Sequence, residues 1–173
     1  MYLVHGPHED VEVTLQTWRV LEQLYREGRL KNIGISNFEP WQLEEFLPRV
    51  DIMPAVHQVM INPGVRHTEV VELTRKVGIQ PIAWSPLRNT TEQNRADLTA
   101  IGAHHGSRSW AQVLLRYYIQ REIAVVPKSH IASEVRENME VLSFRLSEEE
   151  LAAIDLLRGE DREEHAWADR PAK

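Results

Sequence analysis

Short apolar runs and amphipathic helical segments alternate along the chain, and this alternation limits the possible folds more than any other feature. Each apolar run has the length and composition of a buried strand. Each is followed by a segment whose apolar residues recur at helical spacing, as Leu15, Trp18 and Leu21 do. Strands that alternate with helices are typical of a parallel α/β sheet. We predict five strands, which end near His5, Phe38, Asn62, Leu87 and Ser129.

Helix boundary signals accompany this pattern. Thr14 is the expected N-cap of the first helix, and Gly28 lies where that helix should stop. Pro40 is expected at the first position of the next helix, where a missing N–H costs nothing. Ser147 and Glu150 have the spacing of a capping box for a C-terminal helix. Residues 159–173 are polar and are predicted to be a loose tail.

Composition and charge exclude several classes of site and partner. The chain has no cysteine, so it has no disulfide, thiolate metal site or cysteine nucleophile. The net charge of -6 argues against nucleic acid or an anionic membrane as the main partner. There is no apolar run of about 20 residues and no signal-peptide pattern, so we predict no membrane span and a cytoplasmic location. No metal site is expected.

Polar residues gather where the predicted strands end. In parallel barrels such residues meet at one mouth, where ligands bind. Taken singly, each has an ordinary structural interpretation: Asn37 caps a turn, Trp84 belongs to the core, and Lys128 is an exposed loop cation. Their shared position favours a single site. Its candidate residues are His5, Ser36, Asn37, Gln58, Trp84, Ser85, Leu87, Lys128 and Ser129, with Glu137 and Asn138 on the helix that follows.

Six segments closely resemble the aldo-keto reductase family, in the same order, from Tyr2 to about Leu157. They are "LVHGP", "EGRLKNIGISNF", "PAVHQVMINP", "AWSPL", "SWAQVLLRYYIQREIAVVPKS" and "ENMEVLSFRLSEEELAAI". The resemblance implies a TIM (β/α)8 barrel. It also implies an oxidoreductase that transfers hydride from NADPH to a small-molecule carbonyl substrate, an aldehyde or a ketone.

The resemblance also implies a role for each candidate residue. His5 matches the histidine that orients the substrate carbonyl. Trp84 stands where the family usually stacks a tyrosine on the nicotinamide ring. The other matches are Ser36, Asn37 and Gln58 to the nicotinamide carboxamide, Ser85 and Leu87 to the pyrophosphate, Lys128 and Ser129 to the adenosine 2′-phosphate, and Glu137 and Asn138 to adenine.

Three departures from the family pattern affect these expectations. Glu134 stands where the family usually has an arginine near the 2′-phosphate, with Arg136 two positions further on. NADP(H) is the expected cofactor, but a carboxylate facing a phosphate is repulsive and leaves NAD(H) open. His57 replaces a common asparagine, and Gly6 replaces an aromatic residue of the substrate pocket.

In the family, "LVHGP" is the fourth barrel strand, so residues 1–158 are expected to form an incomplete barrel. About five parallel strands with flanking helices and a C-terminal helix remain. Of the four catalytic positions only His5 is matched, because the family's tyrosine, lysine and aspartate fall in the part without a counterpart. A general acid supplies about 10²–10⁴-fold in rate, so the chain alone is expected to be weak or inactive. Its open strand edges call for self-association or a partner chain.

Two other functions remain open from the sequence. One is a non-catalytic interaction or regulatory subunit that pairs through its open strand edges. The other is a cofactor-independent isomerase or lyase that uses His5 as its acid–base group.

Overall fold

The computed structural model describes residues 1–159, which alternate between strands and helices as the sequence predicts. The strands are β1 (Tyr2–Val4), β2 (Ile33–Ser36), β3 (Val56–Met60), β4 (Gln80–Trp84) and β5 (Ala124–Val126). The helices are α1 (Val11–Arg26), α2 (Pro40–Phe46), α3 (Thr68–Lys76), α4 (Glu92–Ala103), α5 (Trp110–Gln120), α6 (Ala132–Met139) and α7 (Glu148–Asp155). Short 3₁₀ turns, Leu47–Arg49 and Glu140–Leu142, follow α2 and α6.

The five strands form one parallel sheet in chain order, β1-β2-β3-β4-β5. Val4 pairs with Ile35, and Ser36 pairs with Gln58, so β2 ends one residue beyond β1 and β3 ends two residues beyond β2. The prediction of an incomplete (β/α)8 barrel is confirmed, since a closed barrel of this type has eight strands. Among the described residues, no helix combines the length and apolar character needed to cross a membrane.

The chain divides into two compact units. The first consists of Met1–Val59 and His67–Ile82, and the second, within the described residues, of Met60–Arg66 and 83–159. The candidate residues from His5 to Gln58 belong to the first unit. Those from Trp84 to Asn138 belong to the second.

An aromatic cluster lies at the centre of the first unit. The Trp18 ring meets the Phe46 ring edge-on at 5.6 Å between centroids, and Phe38 lies 5.1 Å from Phe46. The Trp18 indole N–H donates to the carbonyl of Ile52 over 3.1 Å, so its one polar group is satisfied. This cluster packs α1 and α2 against β2. The same core includes Val4 at the end of β1 and Ile35 of β2.

Glu22 and Gly34 determine how neighbouring segments pack beside this core. The buried Glu22 carboxylate accepts the N–H groups of Asp51 and Ile52, each over 2.8 Å, and so ties the segment before β3 to α1. Gly34 lies in the middle of β2. A Cβ there would stand 2.6 Å from Leu3 Cδ2 and 2.8 Å from the Val56 carbonyl oxygen, so the close approach of the three strands requires glycine.

The predicted N-cap of α1 is wrong. Asp10 caps this helix and accepts the N–H of Glu12, whereas Thr14 is buried inside the first turns and accepts the N–H of His8. Asp10 lies before the first apolar helical residue, which is where a cap belongs. The other boundary predictions are confirmed, including left-handed Gly28 after α1, Pro40 at the start of α2, and the Ser147–Glu150 capping box of α7.

The second unit is built around α5, which buries Val113, Leu114 and Leu115. The Tyr117 hydroxyl donates to Asp155 of α7 over 2.5 Å, and Arg121 also pairs with this carboxylate. Helix α4 was not expected from the sequence. Of the predicted tail, the structure describes only Gly159, whose N–H donates to the Pro63 carbonyl; residues 160–173 lie outside the described part.

Candidate functional site

In the first unit, Asn37 directly follows β2 and bonds to the two neighbouring chain segments, His5 after β1 and Gln58 in β3. Its side-chain amide donates to the His5 carbonyl over 2.8 Å, and its backbone N–H donates to the Gln58 carbonyl over 3.0 Å. The backbone of Asn37 is left-handed, with φ of 61°, a conformation that asparagine tolerates better than most residues. This conformation lets one residue bond in both directions across the sheet.

The same carbonyl of Gln58 also accepts the Ser36 hydroxyl over 2.7 Å. The structure therefore brings together His5, Ser36, Asn37 and Gln58, which the sequence had grouped. Ser36 is buried, Asn37 and Gln58 are half-buried, and His5 is exposed. These bonds order the strand ends, and the hydroxyl and amide oxygens at this edge are also acceptors of the kind that a ligand NH₂ group needs.

His57 lies fully buried on β3, directly before Gln58. Its Nε2 accepts the N–H of Phe38 over 3.1 Å, which requires a lone pair on this nitrogen. Nδ1 therefore carries the proton and donates to the Thr74 hydroxyl at 3.0 Å. Burial, with a smaller contribution from His67, lowers the pKa of His57 from 6.5 to about 3. This imidazole is held neutral and fixes the backbone of Phe38, directly after Ser36 and Asn37.

In the second unit, Trp84, Ser85 and Leu87 lie where β4 ends. Trp84 is half-buried and is the last residue of the strand. Ser85 has a left-handed backbone, with φ of 52°, and its carbonyl accepts the N–H of Arg88 over 3.1 Å. The Leu87 carbonyl accepts the hydroxyl of Thr90 over 2.9 Å. The chain turns sharply here, so backbone and side-chain groups of this loop are presented at the strand end.

The segment after β5 holds the remaining candidates. Lys128 and Glu137 are exposed, while Ser129 and Asn138 are half-buried. The Glu137 carbonyl accepts the side-chain amide of Gln112 over 3.0 Å, which attaches α6 to α5. These four residues lie together on one loop and on the helix that this loop enters.

Glu134 makes a direct bond to one of these candidates. The Ser129 hydroxyl donates to the Glu134 carboxylate over 2.5 Å and accepts the N–H of Ile131 over 2.9 Å. Arg136 lies two residues further along α6, and residues two apart on a helix face different sides. The guanidinium of Arg136 therefore does not take the place of the expected arginine beside Ser129.

Of the four tyrosines, two are buried in the second unit and two are exposed in the first unit. In the second unit, burial and the hydrogen bond to Asp155 raise the pKa of Tyr117, and burial raises the pKa of Tyr118. In the first unit, Tyr2 lies on β1 and Tyr25 on α1, and both side chains are exposed. A phenol that gives up a proton readily near neutral pH needs a lowered pKa. Neither Tyr117 nor Tyr118 has that property.

Sequence reasoning did not single out Asn62, a buried residue of the second unit. Its side-chain oxygen accepts the N–H groups of Gly64 and Val65, each over 3.0 Å, and lies 3.4 Å from the Asn89 amide nitrogen. Asn62 thereby supports the loop that contains Ser85 and Leu87. The signal was present as Asn-Pro-Gly directly after a strand, a typical turn sequence.

Comparison with known proteins gives consistent matches. The model of the Aldo/keto reductase family matches residues 1–158. Glyoxal reductase of Bacillus subtilis is 38% identical over 162 residues, which cover 94% of this chain and 58% of that protein. Morphine 6-dehydrogenase of Pseudomonas putida is 33% identical over 170 residues, which cover 91% of this chain and 57% of that protein.

Solved structures agree with these sequence matches. An aldo/keto reductase from Brucella melitensis superposes with a TM-score of 0.82 at 33% identity, covering 88% of this chain and 58% of that one. A Bombyx mori aldo-keto reductase in complex with NADP superposes with a TM-score of 0.84 at 27% identity, covering 98% and 61%. The chain thus spans less than two thirds of the length of each of these relatives.

Proposed function

Because the chain belongs to the aldo/keto reductase family, we propose that it binds a nicotinamide adenine dinucleotide and a small carbonyl compound, an aldehyde or a ketone. One observation carries the proposal: Asn37 bonds to both His5 and Gln58 where β1 and β2 end. Ligands of (β/α)8 barrels bind at that end. The NADP complex of the Bombyx mori relative supports the class of ligand.

In this proposal the first unit binds the nicotinamide carboxamide. The Ser36 hydroxyl and the Asn37 and Gln58 side chains supply acceptor and donor groups that match an amide. Three such contacts fix the orientation of the ring, and hydride transfer depends strongly on that orientation.

The second unit carries groups that also suit a dinucleotide. Trp84 offers an indole face on which an aromatic ring stacks. The chemistry of the remaining donors fits the other parts of the ligand: Ser85 and Leu87 for the pyrophosphate, and Lys128, Ser129, Glu137 and Asn138 for the adenosine.

Carbonyl reduction needs a hydride and a proton: a bound reduced dinucleotide would supply the hydride, and solvent water would supply the proton to the alkoxide oxygen. His5 donates a hydrogen bond to the substrate carbonyl oxygen and polarises it. None of the four tyrosines matches the family's general acid, and the raised pKa of Tyr117 and of Tyr118 opposes that role. We therefore expect the 173 residues alone to reduce carbonyls at a rate about 10²–10⁴-fold lower than that of an enzyme with its general acid in place.

The terminal strands of the sheet, β1 and β5, support a proposal about assembly. Strand edges pair readily with other chains, so we propose that a second copy or a partner chain covers them. A cytoplasmic location is proposed with it, on the compositional grounds given above.

Calorimetric titration of the full chain with NADH and NADPH tests the binding step. We expect binding of at least one dinucleotide, and about tenfold weaker binding by Gln58→Leu, which removes an amide contact. Gln93→Leu, on an exposed part of α4, is the matched control and should bind as the unchanged chain does. If neither NADH nor NADPH gives a heat of binding at millimolar concentration, the proposal is wrong. Turnover without nicotinamide that His5→Ala abolishes would favour an isomerase or lyase instead.

A further inference from the structure

We propose that this chain selects NAD(H) over NADP(H), with Glu134 as the residue that sets the preference. The inference rests on the proposed function, and it concerns only the adenosine end of the dinucleotide. All the residues involved belong to the second unit, on the loop after β5 and on α6.

The first observation is the hydrogen bonding of the Ser129 hydroxyl. It donates to the Glu134 carboxylate over 2.5 Å and accepts the N–H of Ile131 over 2.9 Å. A hydroxyl has one proton, and here that proton is directed at a carboxylate. For Ser129 to donate to a phosphate oxygen, the bond to Glu134 has to break.

The second observation is the negative charge of Glu134. A phosphate monoester has a charge of about −1.5 to −2 at neutral pH and only acceptor oxygens. Two negative charges about 4 Å apart repel by about 1 kcal/mol even in water. The ribose of NAD(H) instead presents 2′- and 3′-hydroxyl donors, and a carboxylate accepts both. Acidic side chains recognise the ribose 2′-hydroxyl of NAD in dinucleotide folds of another type, where arginine accommodates the 2′-phosphate.

The neighbouring charges do not reverse this preference. Lys128 is an exposed cation next to Ser129, and it attracts the pyrophosphate charge that both dinucleotides carry. Arg136 faces another side of α6 from Glu134, and Glu137 adds a further negative charge on the helix. The carboxylate that contacts Ser129 therefore determines which form of the ribose fits.

The primary experiment compares the dissociation constants of NADH and NADPH by calorimetry on the full chain. We expect NADH to bind about tenfold more tightly, from a repulsion that salt only partly screens. Equal or tighter binding of NADPH would overturn the inference and leave the proposed function intact. Failure of both ligands to bind would overturn the two together.

Variants separate the effect of the charge at position 134 from the effect of the net charge of the chain. Glu134→Arg should reverse the preference, and Glu134→Gln should bring the two dissociation constants within about threefold. The double variant Glu134→Arg/Arg136→Glu keeps the net charge of the chain and should still reverse the preference. If the double variant keeps the NADH preference of the unchanged chain, overall charge sets the selectivity and the inference is wrong.

Fragments test the adenosine end without the nicotinamide end. In a titration followed by amide NMR shifts, 5′-AMP should perturb residues 128–138 at lower concentration than 2′,5′-ADP does. Glu134→Arg should invert that order. Stronger perturbation of these residues by 2′,5′-ADP in the unchanged chain would contradict the role given to Glu134, whatever the nicotinamide end does.

Discussion

His57 shows how one buried side chain supports the strand ends of the first unit. Its two ring nitrogens bond to the Phe38 backbone and to Thr74, and a proton on Nε2 would point at the Phe38 N–H. Burial and this donor arrangement both favour the neutral ring, in line with its pKa of about 3. Protonation therefore costs more in the folded chain than in the unfolded chain, and stability depends on pH.

The predicted dependence follows from that difference. The unfolded chain binds a proton at His57 below about pH 6.5, and the folded chain does so only near about pH 3. The free energy of unfolding should therefore fall as the pH is lowered through this window, by about 2 kcal/mol between about pH 7 and about pH 5 from His57 alone. Urea unfolding at a series of pH values measures it.

His57→Gln is the matched control, because glutamine keeps an acceptor near the Phe38 N–H and does not titrate. All other titratable groups are the same in both chains, so the difference between the two pH profiles isolates His57. Identical profiles would mean that His57 takes up its proton at the same pH in the folded and the unfolded chain, and the effect given to its burial would be wrong. The sequence marked His57 only as a departure from the family, since a pKa depends on burial that composition does not reveal.

At the scale of elements, Glu22 connects α1 to the segment that leads into β3. Its buried carboxylate satisfies two backbone N–H groups, those of Asp51 and Ile52. Glu22→Ala leaves these donors without the acceptor and should lower the free energy of unfolding by about 2 kcal/mol. Glu22→Gln keeps an acceptor oxygen and should cost less. Glu27→Ala, on the solvent side after the same helix, should change stability little; an equal loss in Glu27→Ala would contradict this role of Glu22.

Helix α4 and the α1 cap show what patterns alone miss. The buried residues of α4 are Asn94, Leu98 and Gly102, which lie on one face but include a single large apolar side chain. Its buried face depends on close packing, since a Cβ on Gly102 would stand 2.0 Å from the Arg108 carbonyl oxygen. A hydrophobic period does not detect such a face. Where long apolar side chains repeat, as on α1 and α5, the sequence predicted the helix.

Considered as a whole, the chain places its candidate residues by strand order, and strand order was predictable. His5 directly follows β1, Asn37 directly follows β2 and Gln58 lies in the middle of β3, and the parallel pairing of these strands brings the three residues together. The division into two compact units was not predictable, because no linker or change in composition marks it. The bond between Ser129 and Glu134 was also beyond the sequence, since it depends on how the loop enters α6.

The terminal strand β1 gives a prediction for the whole molecule. Tyr2 lies on this strand with 57% of its surface exposed, and an exposed apolar edge favours pairing with another chain. A charged residue opposes such pairing, so Tyr2→Lys should lower self-association about tenfold, measured as the concentration for half-association in sedimentation velocity. Val77→Lys, next to α3 between two interior strands, is the control and should associate as the unchanged chain does. If the unchanged chain is monomeric at all concentrations, or if both variants dissociate alike, association through the β1 edge is wrong.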